Sequence, residues 1–271
     1  MNKELQNLSL WFRCNKLTLN LKKTEYVYFG GAGGRIVPQG GLRIGGEYIK
    51  RVEGARFLGV WVDEGLRWKE HIEKVRAKVS RLLGVLGRAG SVVGEQQLRM
   101  LYNALVLPHL QYCLMVWGDF KGNRNLALGE SLLRLQKRFA GIIAGKRGMY
   151  HSDPLMSELR ILKVEDLYRH QLRIHAWKFW NDKLPQSQAA MLSKTHDNHG
   201  HNTRSARLGL TISTQDHKSI GYRLPKEWES LTTALREIKS LTGFKEKSRN
   251  CFLLEYKGFK CTTRNCYVCS N

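Results

Sequence analysis

Between Trp68 and Leu86 the apolar side chains Trp68, Ile72, Val75, Val79, Leu82 and Leu86 step by four and three residues. At about 100° per residue these steps keep one side of a helix continuously apolar. A stripe of that length is held in a helix mainly by packing against other apolar surface. The sequence supplies two partners. Leu98, Leu101, Tyr102 and Leu105 form a second stripe within 95–107, which Pro108 is expected to kink or end. Leu128, Leu132, Leu135, Phe139 and Ile142 form a third. Three helices burying their stripes on one another account for residues 66–150.

The flanking regions read differently. Residues 1–65 open with an amphipathic helix over about Glu4–Asn15, then the β-like run "KTEYVYF". Glycines crowd residues 30–46. The cluster "GGAGG" reads as a loop, whereas Gly45-Gly46 between "LRI" and "EYIKRV" signals a hairpin. "ARFLGVWVD" reads as a further strand that turns almost at once into the first striped helix. After residue 150, "SDPLMSEL" offers Ser or Asp as a cap and Pro154 in the first turn. A long helix is predicted over Val164–Trp180, before Pro185. Residues 193–221 read as a polar loop or linker, Leu241–Leu254 as a final helix and "CTTRNCYVCSN" as a short tail. The predicted fold class is α+β and predominantly helical, with one small antiparallel sheet.

Charge narrows the function. The 271 residues hold 45 Lys and Arg against 23 Asp and Glu, a net +22. The excess is spread along the chain: 17 basic and 8 acidic side chains in 1–90, 8 and 3 in 91–150, 20 and 12 in 151–271. A cationic surface of that extent suits a long polyanion better than one small acidic ligand. No stretch approaches the roughly 20 apolar residues that span a bilayer, and no secretory signal opens the sequence. An intracellular protein with no membrane partner is expected. On the helices, Lys74, Lys78, Arg81 and Arg88 share one flank of the first stripe, with Glu70 beside them. Arg134, Lys137 and Arg138 share a flank of the third. Such edges can straddle a phosphate backbone, which positions a nucleic acid without reading its sequence. A solvated helix face is the alternative account.

Four segments, in order, carry a resemblance. "LSLWFRCNKLTLNLKKTEYVYFG", with Asn20, Lys23 and Thr24, resembles the segment after the catalytic strand in reverse transcriptases of LINE-type, non-LTR retrotransposons. "FLGVWVDEGLRWKEHI" is similar to that family's primer-grip strand and first thumb helix. "LYNALVLPHLQYCLMVWG" resembles its thumb. "NTRSARLGL" and "SIGYRLPKEWESLTTALREIKSLTGFKEKSRNCFLLEY" resemble the end of jockey-like elements, with Glu229 where Asn is usual. The resemblance implies the end of a palm in 1–65, thumb helices in 66–150 and a C-terminal helical region with a Cys-containing tail in 151–271. It implies RNA and DNA (primer–template) as partners, together with the rest of the polymerase, and a nuclear site of action. It implies that Gly59, flanked by Leu58, lets backbone approach a primer end, that Leu58 and Val60 pack on neighbouring sheet or helix, and that Lys23 helps protonate or steady the leaving pyrophosphate.

The chemistry of such an enzyme needs paired carboxylates holding two Mg²⁺ ions. No Asp-Asp pair exists here; the adjacent acids are Asp63-Glu64 and Glu165-Asp166. In family order the catalytic hairpin precedes Met1, so this chain is expected to bind no cofactor, to grip primer–template and to polymerise nothing alone. A stand-alone basic binding or scaffold protein derived from a mobile element is the alternative. Among six cysteines, Cys14 and Cys113 sit in apolar surroundings and read as buried thiols. Cys261, Cys266 and Cys269 offer three soft ligands where a closed zinc site wants four. Cys251 completes the set only if the intervening residues fold back. "HDNHGH" (His196, His199, His201) is a weaker candidate for a metal than for a polar loop.

Overall fold

The computed structural model describes residues 1–29, 40–146, 148–189, 192–194, 210–211, 219–261, 266 and 268–269. The glycine cluster at 30–34, the histidines His196, His199 and His201 and most of the polar linker lie outside the described residues. The chain divides into two units, Met1–Ile72 and Glu73–Asn271.

In the first unit α1 (Asn2–Cys14) lies on β2 (Arg43–Ile44). The Asn2 side chain fastens this contact, donating to the Gly41 carbonyl at 3.3 Å and accepting from the Arg43 amide at 3.1 Å. β2 turns through Gly45-Gly46 into β3 (Glu47–Tyr48), pairing Arg43 with Tyr48 and Ile44 with Glu47. Both glycines have positive φ, +58° and +90°, the geometry that matches the twist of a two-residue hairpin. This hairpin is the predicted one. Leu42, Ile44 and Ile49 are buried, with Leu5, Leu19, Leu21 and Tyr26 packed against them.

The rest departs from the single antiparallel sheet expected. β1 (Glu25–Tyr26) pairs with β4 (Lys50–Arg51) in parallel, and β5 (Gly54–Phe57) pairs with β6 (Val60–Asp63) antiparallel. Among its described residues the unit thus holds three separate two-stranded pairs. Each strand runs two to four residues before a turn or bend, too short to offer a ladder to a third strand. α1 buries no residue, and Cys14 at its end is exposed instead of buried.

The helical stripes predicted from the sequence are largely buried, but Leu105 of the second stripe is exposed and Leu101, Leu128 and Ile142 are half-buried. α2 (Lys69–Ala89) buries Ile72, Val79, Leu83 and Leu86, with Val75 and Leu82 half-buried. α3 (Glu95–Leu101) passes through a π-helical turn at Tyr102–Val106 into α4 (Leu107–Gln111). Pro108 lacks an amide and would clash with the preceding turn; the widened π turn just before it lets the helix continue to Gln111. Cys113, at φ +50°, then breaks the chain ahead of α5 (Leu114–Trp117), and this break leaves it exposed, not buried as expected. α6 (Leu126–Ile143) buries Leu132, Leu135, Phe139 and Ile143.

Gln136, fully buried in α6, joins three segments. It donates to the Tyr102 hydroxyl at 3.2 Å and the Leu162 carbonyl at 3.0 Å, and accepts from the Val164 amide at 2.7 Å. Its amide is therefore satisfied, and it fixes the start of α8 (Val164–Trp180), whose bounds match the predicted helix. α7 (Ser152–Glu158) carries Pro154 in its first turn, but the residue preceding it is His151, in extended conformation with no side-chain cap bond. After α9 (Gln186–Ala189) the short β7 (Ser193–Lys194) and β8 (Leu210–Thr211) pair antiparallel. α10 (Ile220–Glu229) and α11 (Thr233–Arg236) lead to α12 (Leu241–Lys257). Trp177, Trp228 and Phe244 meet in this core, and the Trp177 indole donates to the Ile238 carbonyl at 2.6 Å.

α12 packs on α7 and α8 through bonds along its length. His170 and Ser248 approach to 3.2 Å, and the Ser157 hydroxyl donates to the Leu253 carbonyl at 2.7 Å. The Tyr256 hydroxyl accepts from the Lys163 amide at 3.1 Å and donates to Asp166. Among the described residues no helix is long and apolar enough to cross a membrane.

Candidate functional site

"FLGVWV" is a hairpin, not one strand. Phe57 pairs with Val60, which leaves Leu58-Gly59 as a two-residue turn with φ of +45° and +86°. Leu58 is 75% exposed at the tip, so it does not pack on sheet or helix as expected; Val60, at 7%, does pack inward. The reason is positional: a turn residue points away from both strands. Gly59 meets a conformational demand, since a side chain at φ +86° is strained. The result is a glycine backbone at an exposed tip.

The turn from β6 into α2 has its own device. The Asp63 carboxylate accepts from the amides of Gly65 at 3.1 Å, Arg67 at 2.9 Å and Trp68 at 2.7 Å. Leu66 and Trp68 take positive φ to wrap around it. His71, one turn into α2, accepts from the Trp61 amide through Nδ1 at 3.3 Å. Burial lowers its pKa, which keeps that nitrogen available as an acceptor.

The basic residues singled out from the sequence fall in three places. Lys23 ends a 3₁₀ turn (Leu21–Lys23) and is exposed; its amide and the Thr24 hydroxyl both bond to the Asn20 carbonyl, at 3.0 and 2.9 Å. Lys74, Lys78, Arg81 and Arg88 are all exposed along α2, on the side away from its buried stripe. On α6, Arg134 and Arg138 are exposed and Lys137 is half-buried. Arg134 reaches Glu130 at 3.9 Å, and the Lys137 carbonyl accepts from the Tyr150 hydroxyl at 2.8 Å.

The Ile142 contact shows which side of α2 meets α6. α6 meets the end of α2 where Ile142 lies against Gly87 and Gly90; a Cβ on Gly90 would stand 3.5 Å from Ile142. Arg134 and Arg138 run down the Ile142 side of α6. At about 100° per residue, Lys74, Lys78, Arg81 and Arg88 lie about 100–180° around α2 from Gly87. Arg76, also exposed, is the α2 cation nearest the Gly87 side; the charge count along the sequence did not separate it from the others.

The adjacent acids fit no two-metal site. Asp63 is taken up by backbone amides, and Glu64 pairs with Arg51 at 3.0 Å. Asp166 accepts from Tyr256 and lies 3.6 Å from Arg169, while Glu165 beside it is exposed in the first turn of α8. No catalytic step through Mg²⁺ follows from these residues.

The second constellation forms where the sequence supplied only three ligands. Cys261, Cys266 and Cys269 converge on His151, and one ligand atom from each lies within 4.8 Å of all the others. His151 Nε2 is 3.2 Å from Cys269 Sγ and 3.6 Å from Cys266 Sγ. Cys251 does not complete the set: it sits in α12, packed against the aromatic core. Crowding raises the Cys269 thiol to about 11, through lost hydration, then hydrogen bonding with and charge repulsion from Cys261 and Cys266. Sequence reasoning missed His151 because it stands 110 residues before the first of these cysteines and belongs to no spaced motif.

Comparison with family models, curated proteins and solved structures found no match to this chain.

Proposed function

We infer that this chain is the primer–template-gripping, post-catalytic part of an RNA-directed DNA polymerase of the LINE type. The observation that carries this is the stripe of exposed cations on α2, Lys74, Lys78, Arg81 and Arg88, away from a largely buried apolar stripe in a chain of net charge +22. A row of this kind contacts successive phosphates and is indifferent to base sequence. The bare tip at Gly59 supports the reading, because glycine there leaves backbone accessible to a nucleic-acid end. Arg134, Lys137 and Arg138 add further phosphate contacts from α6. The reaction belongs to carboxylates and Mg²⁺ of the complete polymerase. The chain acts on nucleic acid inside the cell, at chromosomal targets in the nucleus.

Fluorescence anisotropy with a labelled RNA–DNA hybrid, over a series of KCl concentrations, tests the reading. Replacing Lys74, Lys78 and Arg81 together by Gln is expected to lower the slope of log affinity against log salt by roughly 3. Replacing Arg134, Lys137 and Arg138 by Gln is expected to lower it by a further, additive amount. Primer extension with Mg²⁺ or Mn²⁺ should yield no template-dependent product from this chain. Absence of hybrid binding defeats the proposal. Saturable binding of single-stranded RNA with no preference for the hybrid turns it toward a stand-alone basic binding protein.

A further inference from the structure

We propose that His151, Cys261, Cys266 and Cys269 form a structural zinc site that ties the C-terminal tail to the start of α7. A tetrahedral zinc with Zn–S of ~2.3 Å and Zn–N of ~2.0–2.1 Å separates its ligand atoms by about 3.5–3.8 Å. The observed separations, 3.2 and 3.6 Å from His151 Nε2 and none above 4.8 Å within the set, bracket that size. Four ligands leave no open position, the pattern of a structural zinc rather than a catalytic one. Three thiolates and an imidazole select a borderline-soft ion over Mg²⁺ or Ca²⁺.

The convergence is built by the fold. α12 is clasped to α7 and α8 by the Ser157–Leu253 and Tyr256–Lys163 bonds, so its end emerges beside the start of α7. Three residues past Gly258, the residue that ends α12, the chain reaches Cys261. The Phe259 ring lies 5.1 Å from the His151 ring and sets its orientation. Cys266 and Cys269 are brought together by a tight turn in which the Cys269 amide bonds to the Cys266 carbonyl at 3.0 Å. His151 stands in extended conformation just before α7, so its ring is free of any capping role. Of the six cysteines, three converge; Cys14, Cys113 and Cys251 lie elsewhere.

Binding Zn²⁺ displaces the three thiol protons and leaves a site of net charge −1 beside Lys257 and Lys260 in a strongly basic chain. The ion closes a loop of 118 residues between His151 and Cys269. It therefore anchors the tail at the start of α7. This inference stands independently of the nucleic-acid reading.

The test uses the full chain, purified under reducing conditions with zinc in the growth medium. Emission spectroscopy should find one zinc per chain. Zinc-edge X-ray absorption on the unmodified protein should count three sulfurs at ~2.3 Å and one nitrogen at ~2.0–2.1 Å. Substituted Co²⁺ should give the intense visible bands of a tetrahedral thiolate site. His151→Ala and Cys266→Ser should each weaken zinc, in competition with a chromophoric chelator, by more than the ~10–100-fold that changes outside the ligand set cost. Cys251→Ser should leave affinity unchanged. The assignment is overturned by a chain that takes up no zinc, by copper as the bound metal, by a disulfide among the three thiols as isolated, by an all-sulfur or six-coordinate absorption spectrum, or by affinity indifferent to His151→Ala. The absorption result needs no variant, so a variant that fails to fold leaves the outcome decided.

Discussion

The two units of this chain reach order by different means. Glu73–Asn271 is held by side-chain volume: Trp117, Trp228, Tyr102, Phe139, Phe244 and Phe252 are all fully buried, and its interior polar groups include the satisfied Gln136 and the Arg173–Glu227 pair at 2.7 Å. Met1–Ile72 has a small cluster of three buried aliphatic residues, Leu42, Ile44 and Ile49, plus those that lean on it, with Val60, Trp68 and Ile72 buried apart from that cluster, and leaves Leu10, Trp11, Phe57 and Leu58 more than half exposed. Its shape comes instead from side chains that bond to backbone: Asn2 on the β2 hairpin, Asp63 at the start of α2, His71 on β6. One unit is specified by packing, the other by turns. Substitutions of the same chemical size should therefore weigh differently in the two.

The largest expected effect is on the packed unit. Trp228 is fully buried, with ring centroids 6.0 Å from Trp180 and 6.3 Å from Phe244. Trp228→Ala should cost about 3–5 kcal/mol in urea unfolding followed by far-UV signal. Like for like, Ile44→Ala in the first unit should cost no more than about 2 kcal/mol, because its thin surroundings can collapse into the space, against about 2–5 kcal/mol for the equally buried Ile143→Ala in α6. Equal costs would erase the contrast between the units.

Acid sharpens the comparison next. His170 is buried between α8 and α12, bonded to Ser248, and its pKa is lowered to about 4 by burial first and then by Arg249, Arg173 and Lys245. In the unfolded chain it binds a proton near 6.5. The unfolded state therefore holds more protons between those values. The stability tied to neutral His170 is fully present above about pH 6.5 and is lost as pH falls toward 4, by at most about 3 kcal/mol. Urea midpoints measured from pH 7.5 to 4.5 should fall for the helical unit, and His170→Gln should flatten that fall. A profile unchanged by His170→Gln would show that the imidazole is not held neutral.

What could be seen from the sequence cuts across that division. The stripes of α2 and α6 and the span of α8 were legible because periodicity and burial are one statement made twice. Gly45-Gly46 was legible because two glycines between apolar runs leave few other structures. Leu58-Gly59 was not: leucine rarely takes positive φ, so an apolar run with one glycine reads as a strand. The π turn before Pro108 was not, since periodicity does not register one added residue. His151 was invisible for a different reason. The fourth corner of the thiol cluster depends on α12 folding back across α7, a long-range contact that no local spacing encodes.

Smaller effects probe the turn-built unit. Asp63→Ala removes the acceptor for three amides at once and should cost roughly 1–2 kcal/mol. The more specific readout is amide exchange at Gly65, Arg67 and Trp68, which should quicken about tenfold or more while amides of α8 stay as they were. Unchanged protection at those three amides would mean that Asp63 is not what holds the chain into α2.

The smallest effect carries the most information about use. At the β5–β6 tip, Gly59→Ala forces a methyl group into φ +86° and should destabilise by about 1 kcal/mol. Leu58→Asn should do the reverse, because Asn tolerates φ +45° better than leucine and Asn-Gly is the favoured pair for this turn. A gain of about 0.5–1 kcal/mol is expected. A leucine three-quarters exposed, in a conformation it dislikes, is then not there for stability. If Leu58→Asn raises the unfolding midpoint and also weakens binding of an RNA–DNA hybrid whose 3′ end is recessed, the tip touches nucleic acid and the strain has a function. If the midpoint rises and hybrid binding is untouched, the tip is only a turn, and the grip rests on the α2 cations alone.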